Sequence, residues 1–135
     1  MKAKDLLSMP ELITGNIMVK MSKNEEKIYN QLKKDMIVPM DGGDINAENA
    51  VGLSNKLSQM ANGAVYDENG KVREIHDRKL DALEDMIESA NGKPVLIAYW
   101  FKHDRERIMK RFDAVQIDTV DSITDWNNGK IPVGL

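Results

Sequence analysis

The chain has 135 residues, 41% hydrophobic and 30% charged, with no cysteine and a formal net charge of -3. Such totals fit one soluble domain with a core of its own, and they argue against a multi-domain enzyme and a disordered chain. They also exclude a polycation held to nucleic acid by bulk charge, and the missing cysteine excludes disulfides, thiolate catalysis and the common zinc knuckles.

The N-terminal stretch "MKAKDLLSMPELI" lacks the long apolar centre of a signal peptide, and the longest apolar run, residues 94–101, is too short to span a bilayer. A cytoplasmic protein with no membrane contact is expected. "NIMVKM" alternates Ile17, Val19 and Met21 with polar neighbours, the period of a half-buried strand. Ser22 and Glu25 then stand at capping-box spacing and predict a helix from about Lys23 to Met36. "VPMDGGDINAEN" reads as a loop by its Pro and Gly content. "AENAVGLSNKLSQMANG" predicts a second helix carrying Val51, Leu53, Leu57 and Met60, stopped at Gly63, and "AVYDENGKVREI" predicts a hairpin around Asn69-Gly70.

From residue 76 the pattern changes. Leu80, Leu83, Met86, Ile87 and Ala90 form a helical stripe that ends at Asn91-Gly92. "PVLIAYWF" is apolar without alternation, as in a strand covered on both faces. "KHDRERIMKRF" predicts a helix with Ile108, Met109 and Phe112 on a narrow stripe and Asp104 capping its first turn. "AVQID" follows as a short strand, "DSITDWNNG" as a short helix and "IPVGL" as a third strand. The expected fold is therefore α/β: residues 1–75 a helical arm and β-hairpin, residues 76–135 a layered unit of parallel strands and flanking helices, together one folded unit.

The catalytic inventory is thin. No Gly-rich phosphate loop, nucleophile elbow or two-His helical metal motif is present in the sequence. The dipeptides His76-Asp77 and His103-Asp104 bring a base beside a carboxylate, but neighbours in sequence point apart on a helix, and Asp is favoured at helix starts for structural reasons alone. "DGGD" at 41–44 and "DENG" at 67–70 lack the alternating acids of a calcium loop and read as turns. Residues 102–111, "KHDRERIMKR", hold five basic side chains against two acidic ones at the carboxyl edge of a strand, the place where open α/β sheets bind ligands. The alternative for this stretch is a solvated face with internal ion pairs. Tyr99, Trp100 and Phe101 are open between core packing and stacking on a base.

"KPVLIAYWFKHDRERI" resembles motif IV in the second RecA-like lobe of SWI/SNF-type superfamily-two helicases, particularly their phage and prophage members. "HDRKLDALEDMIE", with Lys79 and Leu80, is similar to the helix preceding that motif, and "LSNKLSQMANGAVYDE", with Gln59, to the helix before it. "KMSKNEEKIYNQLKKDM", with Tyr29, resembles the entry into the lobe, and "DSITDWNNGKIPVGL", with Trp126 and Asn127, the run ahead of motif V. Gly134 stands where the family has a larger apolar residue. The resemblance implies a partial RecA-like, P-loop NTPase-like parallel sheet belonging to an ATP-dependent DNA helicase or translocase. It implies ATP and magnesium as cofactors of the parent protein and none in this chain, because the phosphate-binding first lobe and motif VI are missing, so this chain alone is expected not to be an enzyme.

By the same resemblance Lys102, His103 and Arg105 would contact DNA phosphates without reading bases. The implied partners are DNA, the first RecA-like lobe and a second copy pairing at an exposed sheet edge. The competing expectation is a stand-alone, non-enzymatic α/β protein-interaction module.

Overall fold

A computed structural model describes residues 10–135; residues 1–9, which carry most of the N-terminal stretch considered above, lie outside the described residues. The chain is mixed α/β. In order it forms α1 (Lys23–Asp35), β1 (Ile37–Val38), β2 (Ile45–Asn46), α2 (Ala50–Asn62), β3 (Ala64–Tyr66), β4 (Val72–Glu74), α3 (Arg78–Ser89), β5 (Val95–Leu96), α4 (Lys102–Phe112), α5 (Val120–Asn127) and β6 (Val133–Gly134).

Local chemistry starts and stops these helices. Ser22 and Glu25 make the reciprocal capping box: the Glu25 N–H donates to Ser22 Oγ at 3.3 Å and the Ser22 N–H to Glu25 Oε1 at 3.0 Å. Asn49 caps α2 by accepting the Gly52 N–H at 2.8 Å, and Gly63 ends the helix at a φ of 119°. Thr119 caps α5 by accepting the Ser122 N–H at 3.1 Å. At Gly63 glycine is required twice over, since a Cβ there would collide with the His76 carbonyl and come within 2.6 Å of Arg107 Nη1.

Two apolar clusters form the interior. The first gathers Leu32 from α1, Val38 and Ile45 from β1 and β2, Met60 from α2 and Val65 from β3. The second gathers Leu80 from α3, Ile108 from α4, Ala114 and Val133. They fall on either side of the sequence division near residue 75.

Three sheets are present among the described residues, each small. β1 pairs antiparallel with β2, β3 antiparallel with β4, and β5 parallel with β6. β6 also bridges in parallel to Val115, with Val115 N–H donating to Val133 O at 3.0 Å and Ile117 N–H to Leu135 O at 2.9 Å. The parallel part thus runs β5, β6, then residues 115–117, with the last strand in sequence at the centre. It is too small to exhibit the RecA-like sheet expected above.

Several sequence expectations are corrected. "NIMVKM" forms no strand: residues 10–22 have no regular structure, and among the described residues no strand pairs with their backbone groups. The "VPMDGGDINAEN" loop contains the β1–β2 pair, whose two-residue strands are too short to leave a periodic signal. "PVLIAYWF" is strand only at Val95–Leu96, and it is not covered on both faces: Leu96 is 62% exposed. It pairs with β6 on one side, and after Ile97 the chain turns toward α4.

The last strand carries an explanation of its own residues. A Cβ on Gly134 would collide with the end of the Ile117 side chain and stand 3.1 Å from the Trp126 ring. Ile117 and Trp126 fill the volume that a larger residue at 134 would occupy.

Candidate nucleic-acid interface

α4 is divided by its helical period into two faces. His103, Asp104, Arg107 and Ile108 turn inward, while Lys102, three residues from Arg105, shares the outer face with it.

The inward face joins the two halves of the chain. Asp104 accepts the Phe101 N–H and the Asn62 side-chain amide, each at 3.0 Å. Burial alone would raise the Asp104 carboxyl, but His103, the Phe101 N–H and Asn62 together hold it below the usual carboxylate range. Arg107 donates through Nη2 to the His76 carbonyl and to Asp77 Oδ1, both at 2.7 Å, and through Nη1 to the Asn62 carbonyl at 3.3 Å. These bonds span roughly thirty to forty-five residues of sequence, so α4 is stapled to the ends of α2 and β4 and to the start of α3.

His103 does not belong to the surface. It is 1% exposed, stacked on Phe101 with ring centroids 5.3 Å apart and edge-on to Tyr66 at 5.1 Å. Its Nδ1 stands 3.5 Å from Asp104 Oδ1, an electrostatic contact too long and poorly aligned for a hydrogen bond, and neither ring nitrogen has a hydrogen-bond partner among the described residues. The two side chains therefore converge more than helix geometry led us to expect, yet the imidazole is sealed from any DNA phosphate. Its expected phosphate contact is corrected on that ground: burial removes His103 from the set and leaves Lys102 and Arg105.

Lys102 is exposed and Arg105 half-buried, and neither forms an ion pair among the described residues. Lys110, near the other end of α4, is likewise exposed and free of ion pairs among the described residues, but two basic positions differ. Arg107 is internal, and Arg111 pairs with Asp81 at 2.7 Å and Glu84 at 3.0 Å on α3. The ion-paired face and the free basic face thus coexist on one helix. The helix N-terminus is less open to an anion than its position suggests, because the Asp104 carboxylate already occupies its first turn. Phosphate contact falls to the Lys102 and Arg105 side chains.

Against the inward face of α4 lies a cleft of about 390 Å³, walled by Leu80, Leu83, Ala98, Tyr99, Trp100 and Ile108, with Asn62, Asp104 and Arg107 at its polar end. Trp100 is 83% exposed and separates the cleft from a shallower groove along Ser54, Asn55 and Ser58 of α2. Lys79 borders both depressions, its Nζ donating to Asn62 Oδ1 at 2.7 Å.

The remaining motifs are structural. His76 is buried, with Nε2 3.0 Å from the Met60 carbonyl and Nδ1 accepting the Arg78 N–H at 3.2 Å, so the neutral ring donates at Nε2. Burial pushes its pKa down. The "DGGD" and "DENG" turns dock on one another: Glu68 N–H donates to Asp44 O at 2.8 Å and Asn69 Nδ2 to Gly42 O at 3.0 Å. Asp67 accepts Arg73 Nε at 2.7 Å and the Asn69 and Lys71 N–H groups, with Arg73 first among the causes that keep its carboxyl low. Sequence reasoning missed the Asn62–Asp104–Arg107 network, for which no local spacing gives a signal. The one available hint was Gly63, a helix stop that also permits close approach of Arg107.

Among curated proteins the chain is similar to protein p41 of Acyrthosiphon pisum secondary endosymbiont phage 1, at 38% identity over 134 residues, which is 97% of this chain. The chain spans 29% of the length of that relative. No protein-family model and no solved structure matches it.

Proposed function

We propose that this chain works as the second RecA-like lobe of a SWI/SNF-type DNA helicase or translocase, lending DNA-backbone contacts and half of an ATP cleft to a larger protein while catalysing nothing alone. The observation that carries the proposal is the pair Lys102 and Arg105, side by side on the outer face of α4, free of ion pairs among the described residues, on the helix that follows the parallel strand β5 after residues 97–101. Cations so placed meet phosphates and leave base edges unread. The order of the motif-like segments supports the reading, as does the parallel β5–β6 pairing with α4 and α5 between those strands. More than two thirds of p41 lies outside the match, which agrees with a phosphate-binding lobe elsewhere in such a protein.

Among the described residues no group of three or more His, Cys, Asp or Glu comes together to hold a metal ion. In this proposal magnesium and ATP belong to the parent protein, magnesium being held there by one or two carboxylates together with the nucleotide phosphates. The test is fluorescence anisotropy of labelled DNA at low salt. The wild type binds, and Lys102→Ala with Arg105→Ala weakens binding at least several-fold; equal affinity in the double variant sinks the proposal.

A second reading is favoured by one observation. β5 leaves an outer edge without a partner strand among the described residues, and Leu96 stands exposed on it. Such an edge invites pairing with another chain, and we propose a second copy there.

A further inference from the structure

We infer that the cleft beside Trp100 receives an unpaired nucleobase, so that this surface selects single-stranded over duplex nucleic acid. The inference rests on the DNA-backbone reading of α4 and adds to it the form of nucleic acid recognised.

Trp100 is the starting point. The chain has two Trp residues; Trp126 is half-buried over Gly134, while Trp100 offers most of its surface to water at the mouth of the cleft. Side chains of this kind, exposed beside a concave apolar wall, act as stacking platforms, since every base has a π-face. At about 390 Å³ the cleft falls at the small end of ligand-sized pockets. Its walls, Leu80, Leu83, Ala98 and Tyr99, suit a flat ring. Its polar end offers the Asn62 carboxamide, already oriented by Lys79 and Asp104, to a base edge.

Charge around the mouth matches a strand's backbone. Lys79 borders the cleft and the adjoining groove; Lys102 and Arg105 line neither, and follow Trp100 within five residues at the start of α4. A strand with one base against Trp100 would bring its flanking phosphates toward these cations. A duplex has no free base face to offer and would have to unstack one first. The stacking contact therefore discriminates for the unpaired form, whereas the lysine and arginine contacts do not.

The test compares a short labelled oligothymidylate with a duplex of the same length by anisotropy at low salt, with tryptophan emission recorded in parallel. The wild type binds the single strand more tightly and its emission is quenched. Trp100→Ala weakens single-strand binding about tenfold or more, leaves duplex affinity and salt dependence alone, and loses the quench; Trp100→Phe retains much of the affinity. Because Trp100 is exposed, these variants should fold.

Single-strand affinity within about twofold of wild type in Trp100→Ala overturns the inference, and so does an equal loss on duplex. If Lys102→Ala with Arg105→Ala weakens binding while Trp100→Ala does not, the inference falls and the backbone reading stands. The reverse pattern sinks the backbone reading, and with it the flanking-phosphate contacts, while the base-stacking contact at Trp100 stands. A wild type that binds neither nucleic acid at low salt overturns both.

Discussion

Arg107 Nη2 lies 2.7 Å from Asp77 Oδ1, and the same nitrogen donates to the carbonyl of the residue before it, His76. One guanidinium thereby fixes the junction between the two apolar clusters, two residues along α4 from Arg105 and five from Lys102. Arg107 is 8% exposed, so its removal leaves the buried His76 carbonyl and the part-buried Asn62 carbonyl without their donor.

Arg107→Ala is therefore expected to cost about 2–4 kcal/mol in urea unfolding. Arg107→Lys should recover only part of that, since a point charge cannot reproduce the forked geometry. Asp77→Asn should cost less than about 1 kcal/mol because that carboxylate is largely exposed. A loss below about 0.5 kcal/mol for Arg107→Ala would remove the guanidinium from its assigned role.

Much of this was legible beforehand and the rest was not, for reasons that individual residues make plain. The helices announced themselves through Ser22 with Glu25, Gly63, Asn91-Gly92 and the Leu80–Ile87 stripe, all local signals. The β1–β2 pair and the fate of "PVLIAYWF" depend on which distant segment comes alongside, and composition does not say. At the site, Lys102 and Arg105 could be named from charge and position, but the inward turn of His103 depends on Tyr66 and Phe101 and on the phase of α4.

Two glycines test packing. Gly134→Ala should destabilise by about 1–3 kcal/mol, and Ile117→Val in the same chain should restore part of the loss, because the obstructing atom is the end of the Ile117 side chain. Gly63→Ala should do more damage, since its obstruction is the His76 backbone and its φ of 119° is unfavourable for any L side chain. Equal tolerance of both substitutions in thermal melts would contradict this packing.

Acid should act in two windows. The Arg78 side chain, donating to Glu25 at 2.9 and 3.3 Å, leads the causes that lower the Glu25 pKa to about 2 from 4.5. The unfolded chain then binds the proton first, so stability present above pH 4.5 is lost as pH falls toward 2. Burial lowers His76 from 6.5, and by the same sign stability declines as pH drops below 6.5. Urea midpoints measured against pH should show both declines. Glu25→Gln should flatten the lower one and His76→Gln the upper; a midpoint independent of pH from 7 to 5 in the wild type would refute the His76 assignment.

The bare β5 edge makes a prediction about assembly. The wild type should sediment as a dimer at high concentration, and Leu96→Lys, which places a charge on the exposed edge, should shift it to monomer. A wild-type monomer at every concentration would exclude pairing at this edge.

Whether Lys102 and Arg105 touch phosphates is read directly from the salt dependence of DNA binding. Each phosphate contact contributes about 0.9 to the slope of log affinity against log salt on duplex DNA. Replacing both residues by alanine should therefore make the measured slope shallower by about 2. A slope unchanged by the double substitution would mean that the outer face of α4 is solvated surface and that the proposed DNA contact does not exist.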